Sequence, residues 1–169
     1  MKKIVVLPYD SSWRNHFEQI RNEIEGPLNN SILGIEHVGS TSVEDLASKP
    51  IIDIDIIIED YSIFDKVKII LEILGYEYEG NLGITDRHAF TCFEKHHLMK
   101  HHLYVCPKNS LELQKHIAFR DYLRTHEEDK KSYSNIKILA ATLHSDNNTE
   151  YIKMKNSCIE EILEKALLK

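Results

Sequence analysis

The chain has 169 residues, of which 42% are apolar and 28% are charged, and its formal net charge is −6. This length is enough for one buried core and short for two domains of ordinary size, so we expect a single domain over residues 1–169. The negative charge argues against nonspecific attraction to the phosphates of a nucleic acid polymer. A small-molecule partner is therefore expected, and no pattern predicts an oligomeric state.

The sequence carries no pattern typical of a secreted or membrane protein. The apolar run at residues 4–7 is too short for a signal peptide and stops at Pro8, and no run approaches the roughly eighteen apolar residues of a membrane span. The three cysteines are widely spaced and contain no C-x-x-C pair, which argues against a disulfide framework and against a thiolate zinc site. We therefore expect a cytoplasmic protein that does not bind membranes.

Periodic apolar residues predict one helix and two strands in the first third of the chain. The helix carries an apolar stripe at spacings of four, three and four, made of Trp13, Phe17, Ile20 and Ile24. Gly26 and Pro27 are expected to end it. Residues 33–38 and 50–58 are rich in Ile and Val and are bounded by Gly, Ser and Pro, which predicts two strands joined by a loop.

The remainder of the chain predicts more strands and then only helices. The expected elements are a helix at 62–74, strands at 76–78, 87–93 and 98–105, a loop at 80–86, and helices at 110–125, 129–143 and 148–167. This order predicts an α/β (α+β) fold, in which a mixed β-sheet is flanked by helices and followed by a C-terminal helical part.

Two acids on one predicted strand are the first candidate site. Because side chains alternate along a strand, Asp53 and Asp55 share one face, about 7 Å apart, while the other face carries Ile52, Ile54, Ile56 and Ile58. Two like charges on a strand built for burial need compensation, and Mg²⁺ commonly binds one or two carboxylates together with substrate phosphates. The alternative is that both acids lie on a solvated face or pair with Lys49, Arg87 or Lys100.

The turn before that strand is the second candidate site. Gly39 allows a close approach of the backbone to a ligand, and it is followed by three hydroxyl residues whose backbone amides would bind phosphate oxygens: Ser40, Thr41 and Ser42. A plain turn, or a cap on a short helix at residues 43–47, is the alternative. A phosphate-binding turn one strand before a metal-binding acid pair suits nucleotidyl transfer.

These segments resemble the GrpB family of uncharacterised proteins. The resemblance is carried by residues 35–43 (IEHVGSTSV), 46–54 (LASKPIIDI) and 119–124 (FRDYLR), and it extends to 8–13 (PYDSSW), Tyr133, 139–140 and 151–155. It implies a nucleotidyltransferase-like fold with the Gly-Ser turn and the Asp-x-Asp strand at the active site. In some organisms the domain looks to be fused to dephospho-CoA kinase, which implies a link to coenzyme A or nucleotide metabolism.

One strand departs from the transferase pattern that the resemblance implies. Such enzymes usually add a third acid from a neighbouring strand, but the candidate strand at residues 98–105 has none and carries His101 and His102 instead. Alternation places His101 beside apolar residues, as a core histidine, and favours His102 as the site residue. Because imidazole is a poor ligand for Mg²⁺, either the metal chemistry is altered or the site binds without catalysing.

Several cationic side chains are candidates for binding phosphate. His116, Arg120 and Arg124 recur every four residues along one predicted helix, and their alternative is a solvated face paired with Glu112 and Glu128. Arg120 is favoured because it falls in the FRDYLR segment. Lys49 directly precedes the acid strand, and Arg87 lies at the rim of the 80–86 loop.

The sequence thus leaves three hypotheses. The first is a Mg²⁺-dependent, or Mn²⁺-dependent, nucleotidyltransferase in which Asp53 and Asp55 bind the metal and a small-molecule acceptor attacks the nucleoside triphosphate. In it, the catalytic Lys49 acts with Arg120, Arg87 and His102 on the nucleotide phosphates. The second is a noncatalytic protein that binds a nucleotide or phosphometabolite. The third is a regulatory partner of another enzyme.

Overall fold

A computed structural model of the protein describes residues 3–168; Met1, Lys2 and Lys169, which belong to the predicted domain, lie outside the described residues. The described part contains five strands: β1 (Gly34–Val38), β2 (Ile52–Ile58), β3 (Glu77–Gly80), β4 (His88–Thr91) and β5 (His101–Pro107). Its α-helices are α1 (Ser12–Leu28), α2 (Phe64–Ile73), α3 (Leu111–Thr125), α4 (Glu127–Leu143) and α5 (Asn148–Leu167). The predicted element order and the mixed α/β class are confirmed.

The strands form one mixed sheet in the order β1-β2-β5-β4-β3. β2 pairs antiparallel with β1 and parallel with β5, so it lies inside the sheet. This position explains its run of isoleucines, because a strand covered on both faces gains most from apolar burial. Ile52, Ile54, Ile56 and Ile58 are fully buried and pack in one core with side chains of α1 and α2.

The first helix keeps the predicted stripe but not the predicted end. Trp13, Phe17, Ile20 and Ile24 are all buried against the sheet. The expectation that Gly26 and Pro27 would end the helix is wrong, since α1 continues to Leu28 with Pro27 inside its last turn. Proline keeps a helical φ, and near the helix end its missing N–H removes only one hydrogen bond, the one to the carbonyl of Glu23. Leu28 is completely buried and extends the apolar stripe by one turn.

The opposite face of the sheet, which carries Asp53 and Asp55, faces the C-terminal part of the chain. Tyr122, Leu123, Tyr133 and Ile162, which come from α3, α4 and α5, form a second core with Val43 and Leu46 of the loop before β2. That packing brings the C-terminal helices next to the Gly39–Ser42 turn. Within residues 3–168 the cysteines are unpaired, and no helix is long and apolar enough to cross a membrane.

Candidate functional site

The sheet register places Asp53 beside a histidine. Asp53 of β2 lies between Val38 of β1 and His102 of β5. The Nδ1 atom of His102 lies 2.9 Å from Oδ1 of Asp53, and both side chains are partly exposed. The alternation along β5 therefore put His102 on the correct face, and His101 is a buried core residue that contacts the hydroxyl of Tyr76 at 2.9 Å.

Asp55 has a different environment two residues further along the strand. Its side chain is completely buried, and Oδ2 lies 2.7 Å from Nδ1 of His116 on α3. Oδ1 has no hydrogen-bond partner among the described residues. Burial raises the pKa of Asp55. Burial has the largest single effect on His116 and acts to lower its pKa. The hydrogen bond to Asp55 and the nearby negative charges, those of Asp55 and Glu112 foremost, together outweigh burial, and the pKa of His116 is raised.

The Gly39–Ser42 turn is packed directly against Asp53. Gly39 has φ +70° and ψ −175°, a conformation that is essentially confined to glycine, and a Cβ at this position would collide with Oδ2 of Asp53. Ser42 closes the turn by donating its hydroxyl to the carbonyl of Gly39 at 2.6 Å. Thr41 is buried, and its hydroxyl lies 3.0 Å from Nε2 of His37. The turn and the acid strand therefore form one unit.

We expect Gly39→Ala to destabilise the protein by about 2–3 kcal/mol, because the alanine meets both backbone strain and the Asp53 carboxylate. Gly83→Ala is the matched control, since Gly83 has φ +80° but a methyl group added there would meet no atom within 4 Å. Urea denaturation of the two variants measures the difference. Equal losses of stability in both would show that the contact between Gly39 and Asp53 is unimportant.

Three lysines surround a small cavity beside this unit. Lys49 precedes β2, whereas Lys137 and Lys155 come from α4 and α5. The cavity, here called the lysine cleft, has a volume of about 190 Å³ and is also lined by Ser40, Thr41, Ser48, Ile51, Asp53, His102 and Tyr151. Asp53 is the only carboxylate among these lining residues. The lysine cleft therefore has an excess of positive charge.

The environment of these lysines shows that their charge is poorly compensated. Burial lowers the pKa of Lys155 to about 8 and lowers that of Lys137 well below its usual range. Lys49 and Lys155 lie 5.1 and 4.5 Å from the centre of the Tyr151 ring. The Tyr151 hydroxyl is buried and has no hydrogen-bond partner among the described residues. An anion in the cleft would offer a partner to each of these groups.

The arginines predicted to bind phosphate lie elsewhere. Arg120 donates to the carbonyl of His37 at 3.0 Å and to Glu36 at 2.6 Å, and Arg124 donates to the carbonyl of Ser42 at 2.8 Å. These bonds attach α3 to the end of β1 and to the turn. Neither arginine lines the lysine cleft. Their role in binding a ligand therefore stays a prediction, and the contacts that the structure does show hold the turn in place.

Arg87 lies further along the acid face. Its guanidinium lies over the Tyr104 ring, 4.5 Å from the centre, and its Nε is buried without a hydrogen-bond partner among residues 3–168. Tyr104 is next to Asp55 in the sheet register. Arg87 is therefore near the buried acid rather than the lysine cleft, and its role as a phosphate ligand also stays a prediction.

A magnesium ion is the cofactor that the resemblance implies for the two acids. Among residues 3–168 no group of three or more His, Cys, Asp or Glu side chains is arranged to hold a metal ion. The unpartnered Oδ1 of Asp55 nevertheless fits such a role, because a buried carboxylate oxygen without a hydrogen bond calls for a cation. Two carboxylates are a suitable protein contribution when phosphates complete the coordination.

Sequence reasoning missed the part of the site that comes from the C-terminal helices. It did not single out Lys137 or Lys155 as site residues, and it gave residues 151–155 only as part of the family resemblance. One signal was present, since Tyr151 and Lys155 are four residues apart and therefore lie on one face of α5. No local pattern indicated that this face packs against residues 40–53, which are nearly a hundred positions earlier.

Comparisons with known proteins agree with this architecture. The family model described as GrpB protein matches residues 3–165. The UPF0157 protein YqkA of Bacillus subtilis (strain 168) is 31% identical over 168 residues, a match that covers 98% of this chain and 48% of YqkA. This chain therefore spans about half the length of that relative.

Solved structures extend the comparison to the fold. Two structures of Cid1 share the nucleotidyltransferase-like fold. The complex with its short product ApU has a TM-score of 0.55 and 9% identity, and the match covers 78% of this chain and 42% of that chain. The MgGTP-bound poly(U) polymerase has a TM-score of 0.53 and 12% identity, and the match covers 80% of this chain and 43% of that chain. The crystal structure of GrpB from Enterococcus faecalis has a TM-score of 0.85 and 34% identity, and the match covers 96% of this chain and 97% of that one. With the family model matched over residues 3–165, this chain belongs to the GrpB family.

Proposed function

We propose that this protein is a nucleotidyltransferase that binds the phosphates of a nucleoside triphosphate in the lysine cleft and transfers the nucleotidyl group to a small-molecule acceptor. The observation that carries the proposal is the convergence of Lys49, Lys137 and Lys155 on one cavity beside the Gly39–Ser42 turn and Asp53. The fold likeness to Cid1, whose structures include an MgGTP-bound form, supports the same class of ligand.

The size and charge of the cleft favour phosphate groups. About 190 Å³ is enough for phosphate groups but too small for a whole nucleotide, so the base and sugar would lie outside. Lys137 is almost completely buried, and the hydrogen bond that its Nζ donates to the Ser48 hydroxyl is long, at 3.4 Å. A bound polyanion would restore the charged form of Lys137 and would stabilise it, because opposite charges attract strongly away from water.

Asp53 and Asp55 are the residues that would hold Mg²⁺ or Mn²⁺ in this proposal. The ion would supply Lewis-acid polarisation of a phosphoryl oxygen. The chain's own residues have separate tasks: the lysines bind and orient the phosphates, and Gly39 lets the backbone approach them. Asp53 is the more accessible of the two carboxylates, since Asp55 is fully buried. Asp53 is therefore the residue whose replacement most directly tests the metal.

A noncatalytic nucleotide-binding protein is the second candidate function, and two observations favour it. Both carboxylates already have histidine partners, Asp53 with His102 and Asp55 with His116. In addition, the β5 position beside Asp53 is a histidine rather than the third acid that transferases usually have. This candidate predicts binding in the same cleft without a product, so a transfer assay separates it from the first.

A pair of lysine variants tests the proposal by calorimetric titration with ATP, GTP, CTP and UTP in Mg²⁺. We expect Lys155→Met to weaken binding of the preferred triphosphate by about tenfold or more, because one charged hydrogen bond contributes about 1.5–3 kcal/mol. Lys153→Met is the matched control, since Lys153 is on the same helix but is 77% exposed. Equal affinity in both variants, or no binding by the wild type, would contradict the proposal.

The affinity for triphosphate should also depend on pH. The pKa of Lys155 is lowered to about 8 by burial, with a contribution from Lys49, so Lys155 loses its proton as the pH rises through that value. The contribution of Lys155 to binding should therefore be constant between about pH 7 and 8, where the terminal phosphate is already ionised, and should weaken above pH 8 by up to about tenfold per pH unit. Titrations of the Lys155→Met variant should lack that component of the decrease.

A further inference from the structure

A second cavity shares His102 with the lysine cleft. It has a volume of about 580 Å³ and lies between the ends of β4 and β5 and the loop that joins these strands. The residues of its wall that matter here are Glu79, Cys92, Phe93, His96, Lys100 and His102. We call it the Phe93 cavity. It is about three times as large as the lysine cleft and would accommodate a small organic molecule.

The two cavities share the wall residue that lies against Asp53. His102 lines both of them, and its Nδ1 is 2.9 Å from Oδ1 of Asp53. A molecule in the Phe93 cavity and a phosphate chain in the lysine cleft would therefore both lie against His102, beside the partly exposed Asp53. This is the arrangement that a two-substrate transfer needs, because the reacting atoms must be brought within about 3–3.5 Å.

The wall of the Phe93 cavity indicates the kind of molecule that it would bind. Phe93 is 68% exposed at the rim, where its ring would stack on a flat ring. Lys100 is exposed and makes no ion pair within residues 3–168, whereas Lys95 is held by Glu23 at 2.9 Å. Glu79 is the one acid of the wall. Lys100 is thus available for one anionic group on the ligand.

We propose that the Phe93 cavity binds the acceptor, and that the acceptor is an alcohol with a flat ring and one phosphate or other anionic group. This inference rests on the proposed function. The acceptor oxygen would form a bond to the α-phosphorus while the bond from that phosphorus to its bridging oxygen breaks. Pyrophosphate leaves with the electron pair, and the hydroxyl proton passes to solvent.

Protection of Cys92 from alkylation tests the site without any transfer reaction. The Cys92 side chain lines the cavity and is partly exposed, whereas Cys106 and Cys158 are buried. The probe is adenosine 5′-monophosphate, which has a flat ring, ribose hydroxyls and one phosphate. Iodoacetamide labelling of Cys92, followed by peptide mass spectrometry, should slow several-fold at saturating probe in the wild type.

Variants then locate the probe. Half-protection should require about tenfold more probe in Phe93→Ala, since the aromatic partner on which the base stacks is lost. Lys100→Met should weaken protection similarly, whereas Phe93→Tyr and Lys155→Met should retain it. Absence of protection in the wild type would overturn the inference, and so would protection that is lost in Lys155→Met but kept in Phe93→Ala. Failure of triphosphate binding alone would count against the proposed function and leave this result unaffected.

Discussion

In the Asp53→Asn variant, the effect of Mg²⁺ on triphosphate binding is expected to disappear. With Mg²⁺ the variant should bind about tenfold or more weakly than the wild type, because a charged ligand has been lost. Without metal the order should reverse, since the neutral amide no longer repels the phosphates in a cleft where Asp53 is the only acid among the described lining residues. Calorimetric titrations in Mg²⁺ and in EDTA measure both effects.

The fold should be unaffected by this change. An asparagine retains an oxygen that can accept a hydrogen bond from His102, and the Asp53 side chain is partly exposed. We expect a melting temperature close to that of the wild type. Asp45→Asn provides the control, because Asp45 is an exposed acid near the same turn that does not line the lysine cleft. Identical metal dependence in Asp53→Asn and the wild type would rule out Asp53 as a metal ligand.

The second large effect is expected at His116. Replacing His116 by alanine removes the hydrogen-bond partner of Asp55, whose carboxyl is completely buried, and should destabilise the protein by about 3 kcal/mol. Denaturation by urea measures this loss, with Gln114→Ala as an exposed control on the same helix. The structure predicts a large difference because water does not reach the Asp55 side chain.

A double variant separates the lost partner from lost packing. Adding Asp55→Asn to His116→Ala should recover part of the stability, because a neutral amide costs less to bury than an unpaired carboxylate. If the cost is instead a cavity left by the imidazole, the second substitution should recover nothing. A loss of less than about 1 kcal/mol in His116→Ala would show that Asp55 does not depend on this histidine.

Much of the fold could be predicted because its strongest signals are local. The stripe of α1 and the isoleucine alternation of β2 depend only on the periods of a helix and a strand. Element ends were less predictable: Gly26 and Pro27 were expected to end α1, but the tertiary burial of Leu28 favours continuation of the helix to that residue. The covering of the acid face by the C-terminal helices is a tertiary arrangement that no local pattern specifies.

The residues of the candidate site likewise separate into those that local patterns place and those that only tertiary packing places. The sequence alone could predict that Gly39, Asp53 and His102 lie close together, because a turn, a strand and the alternation of side chains along a strand place them. Lys137 and Lys155 could not, since helix periodicity gives the buried stripe of α4 or α5 but not the element against which it packs. The same limit applies to the role of Arg120. Its spacing predicted a side chain that binds phosphate, but in the structure it contacts Glu36 and the carbonyl of His37.

A crystal structure of the protein with Mn²⁺ and a nonhydrolysable nucleoside triphosphate analogue tests the central claim most directly. The claim predicts phosphate oxygens within hydrogen-bond distance of the Nζ atoms of Lys137 and Lys155, and an anomalous manganese signal at Asp53. Phosphates bound outside the lysine cleft, or an occupied cleft with no metal signal at Asp53, would contradict the account.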